Sequence, residues 1–206
     1  NGQWQHVAAT LDVAGNARIL VGGVPVASAA LHVPENVVRS SSFVGRSGWS
    51  TDAYFVGQIC EVRLWNVERS PAELTRTMHT RLTGDEKGLT RYLRLDEGGG
   101  STAKDWSGTR DATIVGTPFY GLTGPSLRGP NEAVPCLTLD GSQDYVTLPT
   151  LSADFSAGFT LEAWVYLEAG RGGARIIDLA AAPGSHALTL CCGGGNQLAL
   201  CIQNGS

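Results

Sequence analysis

The sequence predicts an all-β fold of two packed antiparallel sheets with one short helix. Three observations predict it. The 27 glycines among 206 residues recur between short runs of alternating apolar and polar residues, the pattern of many strands joined by turns. About a dozen such runs have strand length. Only one segment carries a helix start, a helical apolar stripe and a stop. Strands in that number bury their apolar faces by packing one sheet on another. The length suits one such sandwich or two small domains.

Residues 7–11 and 17–21 flank Asp12-Val13-Ala14-Gly15-Asn16 and read as a hairpin, and Gly22-Gly23 turns the chain into a strand at 24–27. Further strands fall at 42–44, 54–56 and 59–65. In the last, alternation puts Cys60, Val62 and Leu64 on one face and Glu61, Arg63 and Trp65 on the other. The helix comes next. Ser70 is its N-cap, Pro71 suits the first helical position, and Glu73 completes a capping box. Leu74, Met78 and Leu82 share one face and Gly84 can end the helix, which is expected as a lid at one edge of the sandwich. Strands are expected at 91–95 and 113–115. Residues 119–135 hold several Gly and Pro with little periodicity and are expected as a loop or linker. The last third is strand-rich again, at 136–139, 145–148, 159–167, 175–179, 187–191 and 198–203. Within 159–167, Leu161, Ala163, Val165 and Leu167 face one way, and Glu162, Trp164 and Tyr166 the other. Leu188 and Leu190 match Leu198, Leu200 and Ile202 across the turn at Gly193-Gly194-Gly195-Asn196.

Net charge is −4 with Lys and Arg scattered, so the basic stripe of a nucleic-acid binder is missing. No apolar run reaches the roughly 20 residues of a membrane helix. The chain starts at Asn1 without a leader pattern, the expectation for a mature or excised segment. Five cysteines, Cys60, Cys136, Cys191, Cys192 and Cys201, lack metal-site spacing. Most are expected as buried free thiols. The alternative is one disulfide between Cys191 and Cys201 on one face of a hairpin.

Several motifs carry a family resemblance. Trp4-Gln5-His6-Val7-Ala8-Ala9-Thr10-Leu11-Asp12, Ser42-Phe43-Val44-Gly45-Arg46 and Gly57-Gln58-Ile59-Cys60-Glu61-Val62-Arg63-Leu64-Trp65, with the capped helix, resemble the later part of a laminin-G-like (concanavalin-A-like) jelly roll. Gly88-Leu89-Thr90-Arg91-Tyr92-Leu93-Arg94-Leu95-Asp96 resembles its opening strand. Asp105-Trp106-Ser107-Gly108, Leu139-Asp140-Gly141-Ser142-Gln143-Asp144-Tyr145-Val146 and Phe159-Thr160-Leu161-Glu162-Ala163-Trp164-Val165-Tyr166 resemble the loop and core strands that come after that opening strand in the module. The resemblance implies one circularly permuted sandwich over 1–206, with 1–91 as the C-terminal half of the module and 92–206 as the N-terminal half. Such a chain can close on itself, belong to a tandem array, or exchange halves with a neighbouring copy. Closure in cis would bring the two termini together.

The resemblance also implies a non-enzymatic extracellular or cell-surface module that binds glycan or protein. The alternative is a structural or adhesive subunit whose half-modules complement one another. Calcium is a candidate cofactor at Asp140 and Asp144, in a turn where Asp also bonds its own backbone. Carbohydrate-binding candidates are Trp49 with Asp52, in the polar loop Gly48-Trp49-Ser50-Thr51-Asp52, and Trp106 with Asp105. Trp65, Trp164 and Tyr166 either line a concave surface or pack on the sheet, and Glu162 with Arg63 reads as a cross-sheet ion pair. No strand has the Glu-x-Asp-x-Glu pattern of jelly-roll glycosidases. The four His residues are scattered without a catalytic motif, and His6 reads as structural. Asn204-Gly205-Ser206 is a glycosylation sequon.

Overall fold

The computed structural model describes residues 2–121, 124–127, 134–168, 172–193 and 197–205. Fifteen strands and one helix form in order: β1 (Trp4–Leu11), β2 (Asn16–Val21), β3 (Val24–Ala30), β4 (Ser41–Val44), β5 (Val56–Trp65), α1 (Pro71–Thr77), β6 (Leu89–Leu93), β7 (Thr102–Ala103), β8 (Ala112–Val115), β9 (Phe119–Gly121), β10 (Cys136–Asp140), β11 (Tyr145–Leu148), β12 (Phe159–Leu167), β13 (Arg175–Ala180), β14 (Leu188–Cys192) and β15 (Leu198–Ile202). They make two antiparallel sheets. One runs β3-β2-β1-β12-β5-β10-β9, with β6 also paired to β5; the other runs β15-β14-β13-β4-β11-β8-β7. The predicted two-sheet, all-β class is what the chain adopts. Strands from 1–91 and from 92–206 interleave in both sheets, most extensively where β1 pairs β12 from Trp4↔Tyr166 to Leu11↔Phe159.

Alternation positions the core. Val7, Ala9 and Leu11 pair with Ala163, Leu161 and Phe159 and face the other sheet. There Val44, Val146, Ile114, Ile177 and Leu190 share registered positions, and all join one buried cluster. Each buried Leu or Ile contributes roughly 2 kcal/mol.

One strand departs from the predicted alternation. In β5, Arg63 pairs Glu162 but Cys60 pairs Trp164, so two β5 residues lie opposite Ala163. The extra residue is a β-bulge, and Glu61 takes it up at φ 53, with its amide donating to Arg94 O at 3.1 Å. Paired residues share a face, so Ile59 joins Val165 on the core side. Cys60 lies with Trp164 on the outer side, not with Val62 and Leu64 as simple alternation expected.

The outer face of the eight-stranded sheet is covered. Ser70 caps α1: its hydroxyl accepts from Glu73 N, and Glu73 accepts from Ser70 N at 2.9 Å. Leu74 packs on Ala8 of β1 and Leu20 of β2. The helix stops at Thr77, with Met78 as its cap, rather than reaching Gly84. Its C-terminal carbonyls are taken by side chains from below. Arg63 donates to Thr77 O and Thr80 O, and the Trp164 indole donates to Met78 O at 2.7 Å. These bonds fix α1 over the central strands, so it covers a face rather than an edge.

The 119–135 segment, expected as loop or linker, begins as β9 paired to β10 and buries Leu127 and Val134. Residues 122–123 and 128–133 of it lie outside the described residues. So do residues 194–196 of the β14–β15 turn. Near the ends of the described residues, Gly2 N donates to Leu167 O, while His186 N donates to Gly205 O and Asn204 bonds Val33 and Glu35.

Candidate functional site

Two places gather charged side chains. The first is sealed. Under α1, Glu162 is fully buried. The Trp65 indole donates to one of its oxygens at 2.7 Å; His6 Nε2 lies 2.8 Å from the other, and Arg63 Nη1 lies 3.9 Å from that same oxygen. Arg63 and the Tyr92 hydroxyl each donate to Glu61 at 2.7 Å. Burial pushes Glu162 toward the neutral acid. The Arg63 charge and the His6 and Trp65 bonds outweigh it and hold the carboxyl below its ordinary range. Burial, and then the Glu61 charge, raises Tyr92. His6, Glu61, Arg63, Trp65, Tyr92 and Glu162 are all buried, so this cluster fastens the cover instead of meeting a ligand. Trp65 and Trp164 therefore pack, and they line no open surface. The His6 and His79 rings flank Trp164 at 5.5 and 5.0 Å. Tyr166 packs on Trp4 at 5.8 Å.

The second place is open. Along the outer face of the seven-stranded sheet, Asp178, Thr189 and Cys201 form one registered row across β13, β14 and β15. The loop after β4 folds over that row. Asp178 is buried and accepts from Gly48 N at 2.7 Å and from the Thr189 hydroxyl at 2.9 Å. The Ser47 hydroxyl accepts from Trp49 N at 3.0 Å. Held in this way, Trp49 is presented 49% exposed. Its ring rests on Gly184, where φ is 72° and an added Cβ would stand 2.0 Å from Trp49 Cζ2; only glycine meets both demands. Arg175 donates to Asp52 at 2.9 Å, both partly exposed. Trp49, Thr51, Asp52, Arg175, Thr189 and Gln203 thus line a cleft of about 490 Å³. Beside it, Arg46 lies over the rings of Phe43, Tyr145 and Tyr54 at 5.0, 4.7 and 5.8 Å.

Of the residues singled out from the sequence, Trp49 and Asp52 meet in this cleft. Asp105 and Trp106 do not join them. Asp105 is buried and holds Arg91, Tyr92 N and Ser107. Arg94 at 3.4 Å and Lys104 at 4.0 Å lie over the Trp106 ring, so cations occupy the surface a sugar would stack on. Asp140 accepts from Ser142 N at 2.8 Å, from the Ser142 hydroxyl at 2.5 Å and from Gln143 N at 3.4 Å. Asp144 is buried and accepts from Thr117 N at 2.9 Å. Among the described residues no three His, Cys, Asp or Glu gather around one point. Asp140 and Asp144 each bond backbone amides of their own or a neighbouring turn. The Asn204 amide accepts from Glu35 N and donates to Val33 O, so its nitrogen already has a partner.

Sequence reasoning missed Arg175, Asp178, Thr189 and Gln203. A signal for two of them stood in the alternation: Asp178 interrupts the apolar run 176–180 and Thr189 the run 187–192, and both point to the cleft side.

The structure defines a class: a two-sheet β-sandwich with one face sealed by a capped helix and the other carrying an aromatic-edged, polar cleft. Within that class, residues 1–75 match the laminin G family model described as Concanavalin A-like lectin/glucanases superfamily. The laminin-G-like resemblance is thereby shown for the segment holding β1 to β5, most of α1 and the Trp49 loop. No curated protein and no solved structure matches the chain. No helix among the described residues is long and apolar enough to cross a membrane.

Proposed function

We propose that this chain is a non-enzymatic recognition module of extracellular or cell-surface setting, and that it binds glycan through the Trp49 cleft. A half-exposed indole fixed at the rim of a polar cleft is the observation that carries the reading. An apolar ring face suits the C–H face of a sugar. The Asp52–Arg175 pair, the Thr189 hydroxyl and the Gln203 amide supply acceptors and donors for its hydroxyls. The matched family's description names lectins as well as glucanases. Binding without hydrolysis is favoured because both Asp178 oxygens and one Asp52 oxygen are already bonded to neighbours. The interleaving of strands from 1–91 and 92–206 supports one permuted module closing in cis over exchange of halves between copies.

The test is glycan screening, with and without added calcium, of the wild type and Trp49→Ala. The expected outcome is a set of hits that Trp49→Ala weakens at least tenfold, about 1.4 kcal/mol, with unchanged melting temperature. Hits insensitive to Trp49→Ala would remove the cleft from the proposal. Growth in solution mass with concentration, and no hits, would favour the adhesive-subunit reading.

A further inference from the structure

The cleft also holds a pair of thiols. Cys191 on β14 pairs Ala199, and Cys201 on β15 pairs Thr189, so the two cysteines are diagonal neighbours on the outer face. The Cys191 thiol donates to Ala199 O at 3.7 Å. Arg175 is registered opposite Cys191, and its charge favours the thiolate at both cysteines. Cys191 is buried and Cys201 is exposed on the cleft wall. No disulfide joins them; the five cysteines are free.

We propose that Cys201 and Cys191 are a redox-active dithiol, with Cys201 attacking small disulfides that enter the cleft and Cys191 resolving the product. This is independent of the glycan reading. Three arguments select these two. Cys60 on β5 and Cys136 on β10 also adjoin one another, but both are fully buried, and burial pushes Cys60 well up. Cys192 is buried too and is pushed up to about 11 by that burial. Cys201 moves the other way: the neighbouring Cys191 thiol, aided by the Arg175 charge, outweighs partial burial and brings it down to about 6.

The Cys201 thiolate attacks one sulfur of a small disulfide, that S–S bond breaks, and the released thiolate takes a proton from water. A mixed disulfide remains on Cys201. Cys191 then loses its proton to solvent and attacks the Cys201 sulfur, expelling the second small thiol. The protein gives up two electrons and two protons, and the small disulfide becomes two thiols. Closing the bond brings the sulfurs of these diagonal neighbours to about 2 Å. β15 can make that move because it is an edge strand, paired in its sheet only to β14.

The test treats the reduced, intact chain with oxidised glutathione at pH 6 and maps products by mass spectrometry. Chymotryptic cleavage at Leu198 or Leu200 separates Cys191 from Cys201 unless a bond joins them. At pH 6 a thiol of pKa about 6 is about half thiolate, against about 0.3% for an ordinary thiol. That is a ~160-fold advantage, cut roughly 13-fold by lower nucleophilicity. Cys201 should therefore react about tenfold faster than a free cysteine and end bonded to Cys191. Cys191→Ser should stop at a glutathione adduct on Cys201, and Cys201→Ser should leave Cys191 unmodified. Circular dichroism checks that both variants fold, and the wild-type product map decides the matter if Cys191→Ser does not. First reaction at another cysteine, a wild-type adduct on Cys201 that never closes, or modification of Cys191 in Cys201→Ser would each overturn the proposal.

Discussion

Replacing Glu162 by Gln isolates what the sealed charge cluster contributes. The substitution keeps an oxygen for the Trp65 indole and nearly the same volume, but removes the charge 3.9 Å from Arg63 and the carboxylate 2.8 Å from His6. At an effective dielectric of about 20, a unit pair near 4 Å is worth about 4 kcal/mol. The desolvation of Glu162 that the change relieves offsets part of this, and Arg63 keeps Glu61 at 2.7 Å. The net loss should be about 2–3 kcal/mol at pH 7. Glu162→Ala should cost about 4–5 kcal/mol, because it also strips buried Trp65 and His6 of a partner. Urea unfolding followed by tryptophan fluorescence measures both. The pH dependence gives an independent check. The folded Glu162 carboxyl sits below its unfolded value, so its stabilisation is present above the unfolded pKa, about 4.3, and is lost as pH falls through the folded one. The gap between wild type and Glu162→Gln should therefore narrow steadily below about pH 4.3. A gap under about 1 kcal/mol at pH 7, or one that stays constant down to acid, would refute the account.

Three further outcomes are expected. Ser70→Ala removes the hydroxyl that accepts from Glu73 N, leaving the Ser70 N to Glu73 half of the capping box in place, and should cost about 1 kcal/mol by urea unfolding, with hydrogen exchange rising first in α1. Gly184→Ala puts a methyl at positive φ and against the Trp49 ring, so it should cost about 1–2 kcal/mol and shift Trp49 fluorescence. A variant with unchanged stability and spectrum would show that the ring does not rest there. Asp140→Ala should lower stability by about 0.5–1 kcal/mol to the same degree with or without calcium in thermal melts; a calcium-dependent difference would place the ion at that turn.

Much of the fold was legible because apolar alternation and turn residues report strands directly. The hairpin at Asp12, the core face of β12 and the pairing of Leu190 with Leu200 all obey that pattern. The helix start was legible from Ser70, Pro71 and Glu73, whereas its stop was not. Met78 and Leu82 continue a helical spacing, and the chain leaves the helix where Arg63 and Trp164, distant in sequence, take its last carbonyls. The cleft was half legible. Trp49 and Asp52 stand out in a polar loop, but Arg175 and Gln203 reach them only once β13, β14 and β15 are in register. Asp105 misled because a carboxylate beside a tryptophan looks the same in sequence whether it greets solvent or, as here, is enclosed by Arg91 and Tyr92.

The bulge at Glu61 makes the length of β5 a counted quantity. Deleting Glu61 itself would leave a regular ladder, with Val62 opposite Ala163 and Cys60 still opposite Trp164, so both halves would keep their faces. Deleting Ile59 instead would bring Gln58 opposite Val165 and carry its amide into the hydrocarbon between the sheets. Substitutions along this strand are local events; a one-residue insertion or deletion away from the bulge rewrites which chemistry each side of the sandwich presents. Chains of this architecture should accordingly vary in side chains here far more readily than in residue number.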